Sequence, residues 1–289
     1  MRTEEEMLSL IRGFAQRDER VRSAVLSGSR ADARKTRDIF QDYDVLCLVT
    51  EMEPFIRDRG WLTRFGDLMI MQTPDEMGSP AERSRDSFAF LMLFQDGNRI
   101  DLTLHPVAKA SALVLDDPSI VLVDKDGLLD GLDASQYRRH GPVRPTEQQY
   151  LDCCNEFWWV STYVAKGLWR RELPYAKSLL EGPVRDMLHS MLEWRIGVER
   201  EFTKDPGKFG KHYRRLLPEV LWDRYVGTFP AMTGESIWDA LLAMADLFRE
   251  MALTVGERLG FPYPEGDDRR VTSHLHHVRG LPPDAEGVY

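Results

Sequence analysis

Apolar residues recur along the chain in two rhythms. In "TEEEMLSLIRGFAQRD", Met7, Ile11 and Phe14 fall at helical spacing behind Thr3 and three acids, which predicts an opening amphipathic helix capped by Thr3. "VRSAVLSG" is a short apolar run that stops at a glycine, and "YDVLCLVT" is a continuous run of the kind found in strands covered on both faces. These two are expected to be neighbours. "FAFLMLFQDGNRIDLTLHP" reads as a hairpin: Phe88 to Phe94, a turn around Asp96-Gly97, then Arg99 to His105. In the second arm Ile100, Leu102 and Leu104 point one way, and Asp101, Thr103 and His105 the other.

The rhythm changes at "RRHGPVRPTEQQY", where Gly141, Pro142 and Pro145 punctuate a polar stretch. A domain boundary is expected there, separating residues 1–143 from 144–289. Beyond it the pattern is helical from Thr146 to about Arg171, then near 175–203, 209–226 and 234–259, with a Pro/Gly-containing tail after Gly260. No internal repeat interrupts this order of strands first and helices second.

Composition narrows the function classes. The 289 residues are 43% hydrophobic, enough to fill a proper core. A net charge of -9 and the lack of any cluster of five Lys/Arg argue against a nucleic-acid partner. A cationic small substrate suits that balance, although solubility alone also accounts for a mildly acidic chain. Cys47, Cys153 and Cys154 lie in apolar segments without CxxC spacing, so neither a disulfide framework nor a zinc site is expected. The acidic N-terminus does not read as a signal peptide, and no run approaches a membrane span, so a cytoplasmic location is expected.

Candidate chemistry begins with Asp42 and Asp44. Residues two apart in a strand share a face, so these carboxylates either form a solvated strand end or hold a divalent cation. Magnesium takes hard oxygen ligands, typically one or two carboxylates together with substrate phosphates. Asp101, on another strand's polar face, completes a triad if the two strands lie side by side. The Gly28-Ser29-Arg30 turn allows close backbone approach to a phosphate and adds the Ser29 hydroxyl; as an isolated motif it is also an ordinary strand-to-helix turn. There is no GxxxxGK[ST], which disfavours a P-loop nucleotidase.

The long helix carries two stripes. Tyr150, Cys153, Cys154, Phe157, Val160, Val164 and Leu168 form its core face, while Asp152, Glu156, Trp159 and Tyr163 lie opposite. Acids beside aromatic rings suit a flat or cationic guest, each ring face attracting a cation by about 0.5–2 kcal/mol. The same stripe also reads as a second core contact with solvated acids. In "KFGKHYRRL", Lys211 is the candidate polyphosphate contact, and Lys208, Arg214 and Arg215 read equally well as a solvated basic helix start. His105 and the cluster His274, His276 and His277 receive no catalytic role; the cluster is expected in exposed polar chain.

"SGSR", "DYD" and a later strand Asp resemble the nucleotidyltransferase superfamily related to DNA polymerase β. The wider wording, "MRTEEEML", "FQDYDVLCLVTEME", "FGDLMIMQTPDEM", "NRIDLTLHP", "NEFWWVSTYVAKGLWRREL" and "GKHYRRLL", resembles the aminoglycoside 6-adenylyltransferases that modify streptomycin, over most of the chain. The resemblance implies an α+β fold, with a mixed-sheet nucleotidyltransferase domain followed by a helical-bundle domain. It implies an enzyme using Mg2+ and ATP, transferring AMP to a streptomycin hydroxyl with release of pyrophosphate and so giving antibiotic resistance. Asp42, Asp44 and Asp101 would ligate metal, Asp101 would also take the hydroxyl proton, and Gly28, Ser29 and Arg30 would meet the triphosphate. A monomer or weak homodimer is expected. Two alternatives stay open: the same reaction on another acceptor, whether another aminoglycoside, a lincosamide or a protein, and a non-catalytic nucleotide-binding regulator.

Overall fold

Thr3 begins the first helix as its composition requires. In the computed structural model, which describes residues 1–33, 35–78, 86–112, 118–130 and 141–289, the Thr3 hydroxyl accepts from the Glu6 amide at 3.2 Å. The Glu6 carboxylate accepts from the Thr3 amide at 2.7 Å, so two donors of the helix start are satisfied reciprocally. Helix α1 (Glu4–Arg17) buries Met7, Ile11, Phe14 and Ala15. Phe14 stacks on Trp61 at 5.0 Å and meets Phe55 and Phe65 edge-on.

The chain divides into two compact units, Met1–Arg138 and Arg139–Tyr289. Residues 138–140 of the expected boundary stretch lie at or beside this division, and outside the described residues. In the first unit, β1 (Val21–Ser27), β2 (Tyr43–Val49), the short helix α2 (Glu53–Arg57), β3 (Leu68–Gln72), β4 (Phe88–Phe94), β5 (Arg99–Pro106) and β6 (Ser119–Asp124) follow α1. They build one six-stranded sheet in the order β3-β4-β5-β2-β1-β6. The pairing β2/β5 is parallel and the others are antiparallel, so the sheet is mixed. The expected neighbours β1 and β2 pair, and the β4/β5 hairpin forms around Gly97, whose φ is +84°.

A tie from the N-terminus holds that hairpin. Arg2 donates to Asp96 from its backbone amide at 3.0 Å and from Nε at 2.7 Å, and Asn98 donates to the same carboxylate. Arg2 also donates to the Phe65 carbonyl. These bonds, Arg2's foremost, hold the Asp96 carboxyl well below the usual carboxylate range.

The second unit is helical: α3 (Glu147–Trp169), α4 (Leu173–Leu179), α5 (Arg185–Glu199), α6 (Tyr213–Leu216), α7 (Glu219–Val226), α8 (Gly234–Leu259) and α9 (Glu265–Gly280). All seven residues of the expected core stripe of α3 are buried, and Phe157 stacks on Phe248 of α8 at 3.8 Å. Tyr150 donates to the Ala252 carbonyl at 2.8 Å. A Cβ on Gly256 would stand 2.8 Å from the Tyr150 hydroxyl oxygen, so a glycine lets α3 and α8 approach there.

Three helical expectations are corrected. The run expected at 175–203 is broken: Gly182 is non-helical and Pro183 cannot donate, so a wide turn at Leu180–Val184 separates α4 from α5. The run expected at 209–226 is a 3₁₀ turn and two helices, parted by Pro218. The tail is not irregular, because α9 occupies most of it. Its acids stand in the first turn and its His277 and Arg279 in the last, matching the helix dipole. Arg249 of α8 donates to both oxygens of the buried Asp268, at 2.6 and 2.7 Å, and Tyr263 and Thr272 add two more donors. Among the described residues no helix is long and apolar enough to cross a membrane.

Candidate active site

The parallel pairing of β2 with β5 builds the centre. Its register sets Asp44 directly beside Asp101, while the next pair, Val45 and Leu102, is buried. Asp42 lies just ahead of the first residue of β2, and Tyr43 between the two acids is turned into the core. Asp42, Asp44 and Asp101 each offer one carboxylate oxygen, and these oxygens all lie within 4.8 Å of one another. At that separation two like charges repel by about 1 kcal/mol in bulk water and about 3.5 kcal/mol at an effective dielectric of ~20. The cluster therefore calls for a cation.

The chain itself supplies one. Arg99 sits two residues before Asp101 and donates to both of its oxygens, Nε to Oδ1 at 2.7 Å and Nη2 to Oδ2 at 2.6 Å. Its Nε also lies 3.8 Å from Asp42 Oδ2. Hydrogen bonding to Asp101, with the nearby charges of Asp42 and Asp44, raises the guanidinium's pKa above its ordinary value. This residue was missed in the sequence reading, although its spacing from Asp101 in "RID" already put the two on one face of a strand.

Donor chemistry at the centre is all hard oxygen, with no thiolate or imidazole among the three, which is the set suited to magnesium. The guanidinium bridging Asp101 and Asp42 stands where positive charge is needed. The residues fit a divalent metal.

Glycine is required at the turn beside it. Ser27, the last residue of β1, pairs with Asp44, and Gly28 follows with φ of +73°. A Cβ at Gly28 would lie 2.3 Å from Asp44 Oδ2. Ser29 is half-buried in the Gly28–Arg30 3₁₀ turn. Arg30, the third residue of the turn and an expected phosphate contact, is held by protein groups. It is buried, donating to Glu4 at 3.2 Å and to the Gln41 carbonyl at 2.7 Å, with its guanidinium 4.0 Å from the centre of the Tyr43 ring. These contacts brace the approach to β2.

The remaining candidates lie in the second unit. Asp152 and Glu156 are exposed on α3 and line a depression of about 380 Å³ with Val143, Gln149, Met187 and Trp194. Trp159 is 57% exposed and donates from its indole to the Tyr163 hydroxyl at 2.9 Å. Tyr163 lines a second depression of about 380 Å³ with Lys166, Trp169, Arg170 and His274, and the Lys166 ammonium stands 4.6 Å from its ring centre. Within this unit the acid-and-aromatic stripe is thus a surface, with Tyr163 partly packed against the core. Lys211 is exposed at the start of the basic segment, next to a turn in which Phe209 is held at φ +56°.

The histidine cluster belongs to α9: His274 hydrogen-bonds the Tyr289 hydroxyl at 2.7 Å and His277 stacks on its ring at 4.8 Å. Among the described residues, no group containing histidine has metal-ligand geometry. All three cysteines are free and buried, and burial pushes the thiols of Cys47 and Cys154 up to about 12.

Comparison with known proteins gives matches along nearly the whole chain. A family model described as streptomycin adenylyltransferase matches residues 1–278. An aminoglycoside 6-adenylyltransferase of Bacillus subtilis (strain 168) is 35% identical over 291 residues, covering 100% of this chain and 99% of that protein. One from Campylobacter jejuni is 35% identical, covering 93% of each, and one from Staphylococcus aureus is 33% identical, covering 91% of this chain and 94% of its own. With a family model spanning nearly all of the sequence and such relatives along it, the chain belongs to the streptomycin adenylyltransferase family, a family of nucleotidyltransferase enzymes.

Proposed function

We propose that this chain transfers AMP from ATP to a hydroxyl of streptomycin, releasing pyrophosphate, and thereby confers resistance to the antibiotic. The observation that carries the reading is the convergence of Asp42, Asp44 and Asp101 on a space small enough for one cation. The relatives' names support an aminoglycoside acceptor, and their "6-" supports the 6-position as the site of transfer.

In this reading Asp42, Asp44 and Asp101 hold magnesium. When bound, the metal neutralises triphosphate charge and stabilises the charge that develops at the transferring phosphorus. Gly28 keeps the backbone clear for the triphosphate, Ser29 donates its hydroxyl to it, and Arg30 braces the turn from behind. The acceptor oxygen attacks the α-phosphorus as the bond from that phosphorus to the β-phosphate oxygen breaks. Asp101 takes the hydroxyl proton, and Lys211 offsets charge on the departing pyrophosphate. Catalysis is then mainly positioning and charge neutralisation, with no covalent enzyme intermediate.

Residues 1–143 carry the transfer chemistry and residues 144–289 the substrate wall. Asp152 and Glu156 pair with the guanidinium groups of streptomycin, and Trp159 and Tyr163 present ring faces to them. Pyrophosphate release in the presence of magnesium, ATP and streptomycin tests the assignment. Wild-type protein is expected to turn over, and Asp42→Asn and Asp101→Asn are expected to be inactive. Undiminished turnover in either variant would remove that residue from the site, and turnover with only a different acceptor would replace streptomycin.

A further inference from the structure

Arg99 bonds the carboxylate that the reaction needs free. Both Asp101 oxygens accept from its guanidinium, and Asp42 lies within 3.8 Å of the same group, so one cation spans two of the three acids. The acid and the arginine differ in freedom. Asp101's side chain is 17% exposed and pinned by strand register, whereas Arg99's is 47% exposed on a long flexible stem.

We infer that Arg99 is an internal counter-ion that couples metal binding to nucleotide binding. The inference rests on the reading of the triad as a metal site. A planar guanidinium donates in the same forked geometry to a carboxylate or a phosphate, so a triphosphate offers Arg99 an equivalent partner. A bare divalent cation offers it none. Metal arriving alone must either displace the guanidinium from Asp101 or bind beside a positive charge. Metal arriving with the triphosphate finds Asp101 released as Arg99 moves onto phosphate oxygens. The same exchange keeps positive charge at the acids throughout: arginine offsets part of their charge before substrate arrives, and the metal offsets part of it afterwards. Coupling of this kind is reciprocal, so nucleotide tightens metal by the same factor that metal tightens nucleotide.

The test measures Mn2+ affinity of the full chain by loss of the free-ion EPR signal, with and without a non-hydrolysable ATP analogue, the Mn2+ held by the analogue alone being subtracted from a protein-free titration. Wild type is expected to bind Mn2+ more tightly with the analogue, by a factor within the usual range of about 5- to 150-fold. Arg99→Gln is expected to bind bare Mn2+ about tenfold more tightly than wild type and to show a nucleotide effect smaller by the same factor. Arg99→Lys keeps the charge but not the fork, and its coupling should fall between the two. A thermal melt confirms that each variant is folded. If Arg99→Gln shows unchanged or weaker bare-metal affinity, or wild-type coupling, the inference is overturned while the metal site stands. Wild type that takes up Mn2+ under neither condition would remove the metal site and the inference together.

Discussion

Gly28→Ala isolates how tightly the turn and the carboxylate centre are fitted. The backbone there has φ of +73°, where an L side chain costs roughly 1–2 kcal/mol. The new Cβ would also stand 2.3 Å from Asp44 Oδ2, against 3.4–4 Å for an ordinary contact. The Asp44 carboxylate must retreat by about 1 Å, and a misplacement of that size costs on the order of 100-fold in rate. Gly97→Ala supplies the control, because φ is +84° and its added Cβ meets nothing within 4 Å. Both variants should lose about 1–2 kcal/mol in urea denaturation. Only Gly28→Ala should lose pyrophosphate release, by about two orders of magnitude. Equal turnover in the two variants would refute the claim that Gly28 exists to make room for Asp44.

Other predictions concern the two units separately. Asp96→Ala leaves Arg2 without its main acceptor and should destabilise the protein by about 2 kcal/mol in the same denaturation assay. Because Arg2 depresses the Asp96 pKa, its contribution is complete above the unfolded carboxylate value of about 3.9 and fades as pH falls through the folded one. The wild-type advantage over Asp96→Asn should therefore shrink on acidification below about pH 4, and an advantage independent of pH would contradict the pairing. Asp268→Ala removes the bidentate partner of Arg249, leaving it Asp246 and Thr272, and should cost about 2 kcal/mol, read from chemical denaturation. Trp159→Ala and Glu156→Gln should raise KM for streptomycin and leave KM for ATP in place. Because both positions are exposed, their stability should change by no more than about 0.5 kcal/mol. Thiol reagents at neutral pH should label Cys47 and Cys154 only as fast as the chain opens, since both are buried with thiols pushed up to about 12.

The elements most legible from sequence were those whose signal is local. Thr3 and the acids behind it declared a capped helix, Asp96-Gly97 a hairpin, and the stripe from Tyr150 to Leu168 a buried helix face, each within one continuous stretch of chain. That Asp101 would join Asp42 and Asp44 needed one long-range fact, the parallel pairing of β2 with β5, which no residue in either strand announces. Helix α9 was missed because its polar composition conceals the stripe of Val271, Leu275 and Val278, and because Asp268 is buried only by virtue of a partner on another helix. Arg30 and Arg99 show the same limit from opposite sides. The first is held inward by Glu4, Gln41 and the Tyr43 ring; the second, to which the sequence pattern assigned no role, lies across the acids. A side chain's charge is visible in sequence, whereas the direction it takes depends on partners brought in by the fold.

In the proposed reaction, the carboxylates of Asp101 on β5 and of Asp42 and Asp44 around the start of β2 drive adenylyl transfer to an aminoglycoside. Mass spectrometry of streptomycin after incubation with the protein, ATP and magnesium tests it most directly, with Asp44→Asn run in parallel. The antibiotic is expected to gain the mass of one AMP in the wild-type reaction and to stay unmodified with the variant. An unmodified antibiotic across a panel of aminoglycosides, or equal modification by wild type and Asp44→Asn, would contradict it.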